Sequence, residues 1–100
     1  VELGSSLTEI KNEAFYQFTS LTSVTLGNIT SIGNTAFYGC SGLTSITIKA
    51  ITPPSLSYSV FADTNNCPIY VPAESVDAYK AASGWSSYAS RIKPLSEYQG

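Results

Sequence analysis

The residues of this chain that could do chemistry are two cysteines, Cys40 and Cys67, and seven carboxylates; histidine is absent. Without histidine, the Ser-His and Cys-His pairs that activate a nucleophile cannot form, and neither can a Cys-His zinc site. Two cysteines are too few for a disulfide framework and lack metal-ligand spacing, so they read as small buried apolar residues, with a Cys40–Cys67 bridge as the lesser alternative. The carboxylates are Glu2, Glu9, Glu13, Asp63, Glu74, Asp77 and Glu97. Glycoside hydrolysis needs two of them facing each other across a cleft. Glu9 and Glu13 come nearest in spacing, but they fall in what reads as a solvated repeat turn. Asp63-Thr64-Asn65-Asn66 hints at a calcium loop, yet it lacks the EF-hand spacing and closing glutamate, so it reads as a turn built from Asx residues. Gly27, Gly33, Gly39 and Gly42 recur at turn positions, where a positive φ is the simple expectation. The chain is therefore expected to be non-enzymatic, with no cofactor and no metal.

Composition narrows the remaining classes. Lys11, Lys49, Lys80, Arg91 and Lys93 are scattered, the net charge is −2, and no basic patch exists for a phosphate backbone. Nucleic acid is thus not an expected partner. Apolar runs are only a few residues long, far short of the roughly 20 needed to cross a bilayer, so no transmembrane segment is expected. Only 12% of residues are charged, and polarity comes mainly from serine and threonine, a surface that leans towards the extracellular setting.

The element that must position these residues is a repeat. Leu21-Thr22-Ser23-Val24-Thr25-Leu26-Gly27 aligns with Leu43-Thr44-Ser45-Ile46-Thr47-Ile48-Lys49, and every apolar position matches. Val1-Glu2-Leu3-Gly4 precedes them in the same pattern and Ile69-Tyr70-Val71 follows. A second block, Ile10-Lys11-Asn12-Glu13-Ala14-Phe15, recurs as Ile32-Gly33-Asn34-Thr35-Ala36-Phe37 and again, degenerately, at Ser59-Val60-Phe61. Each strand copy reads L-x-x-[VI]-x-[LI]. A strand's period of two sends Val24 and Leu26 inward and Ser23, Thr25 and Gly27 outward. Stacking in parallel then predicts buried ladders Val1/Val24/Ile46/Ile69 and Leu3/Leu26/Ile48/Val71. The Ala-Phe block is expected to form a short helical turn carrying a third ladder of Phe15, Phe37 and Phe61, with Ala14 and Ala36 small enough for close approach.

After Ile69-Tyr70-Val71 the pattern changes. Pro72 through Ala82 reads as a helix, with Glu74 and Asp77 early, Lys80 late and Gly84 as the stop. Trp85, Tyr88 and Ile92 continue at helical spacing. Trp85 and Tyr88 read as a hydrophobic lid over the last repeat in preference to an aromatic platform for sugar.

The run L-T-S-[VI]-T-[LI] followed by I-T-S-I-G-N-x-A-F-x-G-C-x-x-L closely resembles the BspA-type leucine-rich repeats of bacterial surface proteins. Residues 21–48 carry it almost letter for letter, and residues 1–20 more loosely. Thr52-Pro53-Pro54, Ile69 to Pro72, Ser75 to Lys80 and Gly84-Trp85-Ser86 look like the last repeat and cap of such proteins. The resemblance implies an α+β repeat fold: a leucine-rich-repeat solenoid of about three to four repeats of 22–23 residues, with parallel short strands and short helical turns, closed by a C-terminal helical cap. One domain is expected over residues 1–100, with repeats over 1–71, the cap over 72–95 and a tail over 96–100. Because Val1 opens within a strand copy, this stretch is expected to continue a longer solenoid, or else to associate through its uncapped first strand.

The resemblance further implies a cell-surface or secreted, adhesin-like module whose partner is a protein on a host or another cell. Its candidate face consists of the outward residues Glu2, Ser23, Thr25, Ser45, Thr47, Lys49 and Tyr70. Tyr70 stands out as the aromatic in a row of Glu and Thr. Two alternatives stay open at this point: a structural cap for a longer solenoid that binds elsewhere, and a carbohydrate-binding module drawing on Tyr70, Tyr79, Trp85 and Tyr88.

Overall fold

A computed structural model describes residues 8–97. In it the chain shuttles between two small parallel sheets. The first holds β2 (Ser23–Leu26), β4 (Ser45–Ile48), β6 (Ile69–Val71) and β7 (Ile92–Pro94), in that order. The second holds β1 (Glu9–Ile10), β3 (Ser31–Ile32) and β5 (Ser55–Leu56). The strands form where β-branched residues alternate with Ser and Thr, which suits a pleated surface buried on one side. Ser23 pairs in register with Ser45, Val24 with Ile46 and Leu26 with Ile48; Ile46 then pairs with Ile69. Val24, Ile46 and Ile69 form one fully buried column, and Leu26, Ile48 and Val71 are buried likewise. The expected members Val1 and Leu3 lie outside the described residues.

The Ala-Phe block departs from expectation: it is not helical. Within it, Ala14 N–H bonds the Lys11 carbonyl at 3.2 Å, Tyr16 bonds Glu13 at 3.2 Å and Phe18 bonds Phe15 at 3.1 Å. The intervening N–H groups leave the turn altogether. Glu13, Phe15 and Gln17 donate to the carbonyls of Asn34, Ala36 and Tyr38 at 2.9, 2.8 and 2.6 Å. One repeat later, Thr35, Phe37 and Gly39 donate to Tyr58, Val60 and Ala62 at 2.9, 3.1 and 2.9 Å.

The cause is a recurring backbone inversion. Glu13, Thr35 and Ser59 have φ of 58°, 51° and 53°, and Gln17, Gly39 and Asp63 have 54°, 76° and 57°. At Glu13, Gln17, Thr35 and Gly39 the left-handed residue's own N–H points to the neighbouring repeat, while the N–H of Ala14, Phe18 and Ala36 just after such a residue bonds back within the turn. A continuous helix would instead aim every N–H along its own axis. Left-handed backbone costs a non-glycine residue about 1–2 kcal/mol, and the inter-repeat bonds offset that cost.

The aromatic ladder runs through these turns as expected. Phe15 stacks on Phe37 with centroids 5.1 Å apart, and Phe37 stacks on Phe61 at 5.8 Å. Phe37 and Ala36 are fully buried, whereas Ala14 is exposed. A polar ladder runs beside it: Asn12 Oδ1 accepts from the Asn34 N–H at 2.8 Å, and Asn34 Oδ1 from the Tyr58 N–H at 3.1 Å.

The turn glycines need correction. Of the four, only Gly39 has a positive φ. Gly33 is required by close approach, because a Cβ there would overlap the Asn12 side-chain oxygen and backbone nitrogen. Contact between neighbouring repeats, not local conformation, selects glycine at that position.

Beyond β6 the chain forms a 3-10 turn (Ala73–Ser75), helix α1 (Val76–Ala81), a kinked 3-10 stretch (Trp85–Arg91) and then β7. Ile92, expected at helical spacing, instead pairs with Ile69 in the first sheet. The open edge of β6 presents unpaired backbone groups, and Ile92-Lys93-Pro94 satisfies them by repeating the apolar-polar-apolar pattern of Ile69-Tyr70-Val71. Pro94 suits an edge strand, where its missing N–H costs the ladder nothing.

Two stability outcomes follow. Phe37→Ala removes the middle of the aromatic ladder and is expected to cost roughly 3–5 kcal/mol in urea unfolding; a near-neutral result would mean the ladder contributes little. Gly33→Ala is expected to cost about 1–3 kcal/mol in the same urea unfolding, by overpacking against the backbone of Lys11 and Asn12; a near-neutral result would mean that the neighbouring repeat gives way.

Candidate interaction face

The outward positions of the first sheet do come together. Ser23 and Ser45 are in register, and Thr25, Thr47 and Tyr70 form one continuous row across β2, β4 and β6. Thr25 and Tyr70 are half-buried, but Thr47, a short side chain between Thr25 and the larger Tyr70, is only 4% exposed. Thr47 therefore forms the floor of the face and offers little contact of its own. Lys49 is exposed just beyond β4, and its N–H bonds the Leu26 carbonyl at 2.9 Å. Glu2 lies outside the described residues.

The row has a further member that the sequence reading missed. Lys93 pairs with Tyr70 and is exposed. The signal was present in Ile92-Lys93-Pro94, but reading Ile92 as helical hid it.

No arrangement suited to catalysis appears among the described residues. Glu9 lies beside Lys11 at 2.6 Å on the surface, and the Lys11 ammonium holds the Glu9 carboxyl below its ordinary range. Two of the open hollows among the described residues hold about 270 Å³ each. One lies between Asn28–Thr30 and the Ala50–Pro54 segment, where no described lining residue is ionisable; in the other, over the second sheet, the described lining residues include one carboxylate, Glu9. No group of three His, Cys, Asp or Glu residues converges as for a metal. Cys40 and Cys67 are both free and buried. Cys40 Sγ donates to the Phe15 carbonyl at 3.0 Å. Burial pushes both thiols up, with the Arg91 charge partly opposing this at Cys67.

The aromatic residues of the C-terminal segment face inward. Trp85 and Tyr79 are fully buried and meet edge to face at 5.0 Å, and Trp85 lies 5.7 Å from Phe61. Trp85 Nε1 donates to the Pro54 carbonyl at 2.8 Å and the Tyr79 hydroxyl to that of Ala50 at 2.7 Å. These two rings cannot stack on a sugar; they form the lid.

The lid also replaces the bonds that a further repeat would have made. Phe15 and Phe37 donate to backbone carbonyls of the following repeat, and Phe61 N–H donates to the Tyr88 hydroxyl at 3.4 Å instead. Arg91 lies over the Tyr88 ring at 5.6 Å, donating from Nε to the Cys67 carbonyl and from Nη2 to Thr64 Oγ1, both at 2.8 Å. One side chain thus satisfies the acceptors left at the end of the stack.

Tyr79 gives the lid a pH signature. Burial holds its phenol protonated well above the ordinary value of about 10. Because the unfolded chain would release that proton first, the contribution of Tyr79 to stability is intact below about pH 10 and falls away above it. In an alkaline titration followed at 295 nm, one of the seven tyrosines is expected to ionise only as the fold is lost; smooth titration of all seven in the folded state would contradict this.

No helix among the described residues is long and apolar enough to cross a membrane. A search of curated proteins finds no match to the chain. A family model described as the BspA type leucine rich repeat region matches residues 1–82, in six copies. The two-strand repeat, its buried ladders and that match agree: the chain belongs to the BspA-type leucine-rich repeat family.

Proposed function

We propose that this chain is a non-enzymatic, adhesin-like module, secreted or held at a cell surface, that binds a protein on a host or another cell. Repeats of this family generally serve protein interaction. The observation that carries the reading is the continuous outward row Thr25–Thr47–Tyr70–Lys93 on a four-stranded parallel sheet. Ser23, Ser45 and Lys49 flank it, Thr47 serves as its floor, and Glu2 would extend it. Tyr70 supplies an aromatic anchor and Lys49 and Lys93 supply charge, a composition suited to a protein surface with acidic groups.

The two sheets and the lid support a solenoid with repeats over residues 1–71 and a C-terminal cap over 72–95, the last turn of which is a strand. A second reading, a structural cap whose binding partner meets other repeats, is favoured by Tyr88 and Arg91 closing the stack. The carbohydrate reading loses Trp85 and Tyr79 to the core and keeps only Tyr70 and Tyr88.

The discriminating experiment coats beads with the chain and measures their retention on epithelial cells and on bacterial lawns. Tyr70→Ala combined with Lys93→Ala, in a sample with native circular dichroism, is expected to weaken retention by roughly tenfold or more. Unchanged retention would place the structural-cap reading first, and glycan-array binding abolished by Tyr70→Ala would restore the sugar reading.

A further inference from the structure

The corner between β2 and β3 carries a motif that neither the sheets nor the lid uses. Of the asparagines in the chain, Asn28 alone is followed two positions on by Ser or Thr, as Asn28-Ile29-Thr30. That is the acceptor pattern for an N-linked glycan, and it needs an accessible asparagine amide on a surface turn. The structure supplies one. The Ile29 N–H bonds the Gly27 carbonyl at 2.9 Å, closing a tight turn with Asn28 exposed at its apex. Asn12, Asn34 and Asn65 commit their side chains to bonds with the next or the preceding repeat, whereas the Asn28 amide bonds no described residue.

A hollow beside Asn28 is the second observation. The corner of the next repeat, residues 49–54, is two residues longer than residues 27–30, and an open space of about 270 Å³ lies between the two corners. Ile29, Ala50 and Pro54 are buried at its base, and Pro53 is half-buried. Asn28, Thr30 and Thr52 are exposed around it, and none of these groups is charged. The lid holds the far wall from behind: the Tyr79 hydroxyl donates to the Ala50 carbonyl at 2.7 Å and Trp85 Nε1 to that of Pro54 at 2.8 Å. An apolar base under a neutral rim of hydroxyls and an amide matches a sugar ring, with its C–H face and hydroxyl edge.

We infer that Asn28 is the acceptor of an N-linked glycan whose first sugar is seated in this hollow. The inference rests on the secreted or surface placement proposed above and is independent of the Tyr70 face. The donor is an oligosaccharide carried on a lipid diphosphate, joined to the chain by a membrane transferase. Asn28 Nδ2 bonds to the anomeric carbon as the bond from that carbon to the diphosphate oxygen breaks. The lipid diphosphate leaves with the electron pair, and Nδ2 gives up one proton to the transferase. In the folded chain the Thr30 N–H and hydroxyl both bond the Thr8 carbonyl, at 2.6 and 3.0 Å, and Ile29 is buried. Transfer therefore precedes stacking of this corner, while the Thr30 hydroxyl is still free for the transferase to read.

The test recovers the protein from the surface or medium of the cells that produce it and measures the mass of the tryptic peptide 12–49. The peptide is expected to exceed its sequence mass by an oligosaccharide. With native circular dichroism, Thr30→Ser should keep that excess, and Asn28→Gln and Thr30→Ala should lose it. An unmodified Asn28 in protein taken from the surface would overturn the inference and leave the surface reading standing. Protein found only in the cytosol would overturn both. In the NMR spectrum of the modified protein, the anomeric proton of the first sugar is expected to show Overhauser contacts to Ile29 or Pro53; a glycan showing none would refute the seat.

Discussion

The bond from one turn to the next is the constraint on which the rest of this structure depends. A repeat of this size cannot bury its own apolar side, so each must satisfy both its rings and its peptides on a neighbour. The left-handed residues at Glu13, Gln17, Thr35 and Gly39 accomplish the second part by aiming alternate N–H groups along the stack. With the turns held in that register, Phe15, Phe37 and Phe61 fall face to face. The strands then meet residue for residue, and the outward row of the first sheet is a consequence of that alignment.

Directional bonding also explains how the stack closes. Backbone N–H groups of the turns donate forward to the following repeat, whereas those of Thr30, Gly33, Thr44, Lys49 and Ser57 donate back to the preceding one, so the last repeat is left with donors in its turn and acceptors elsewhere. At the C-terminal side the protein recruits side chains to do what backbone does elsewhere: Tyr88 accepts from Phe61, and Arg91 donates to Cys67 and Thr64. Trp85 and Tyr79 seal the apolar part. Trp85 and Tyr79, which looked suited to a sugar, are spent on closing the core.

That face is plain in chemistry. Hydroxyls of Ser and Thr fill most of it, and only Tyr70, Lys49 and Lys93 add bulk or charge. A stack of this kind separates the residues that hold the fold from those that face outward. The ladders depend on the inward residues of each strand, which leaves the outward residues open to change without disturbing the core.

Much of this was legible in the residues alone. The repeat length, the inward columns Val24/Ile46/Ile69 and Leu26/Ile48/Val71, the phenylalanine ladder and the lid role of Trp85 all follow from periodicity and from the need to bury apolar surface, which are local or nearest-neighbour rules. Tertiary structure decided what depends on where a neighbour lies. Glu13 and Thr35 show no propensity for left-handed backbone, and adopt it because the next turn offers carbonyls to their peptides. Gly33 is glycine because Asn12 lies against it. Thr47 is outward yet covered because it is short and sits between Thr25 and the larger Tyr70. Ile92 has helical spacing from Trp85 and Tyr88, yet joins a strand because the open edge of β6 supplies backbone partners. In each case the deciding partner lies 21 to 23 residues away, at a distance that pattern in a single stretch of sequence does not encode.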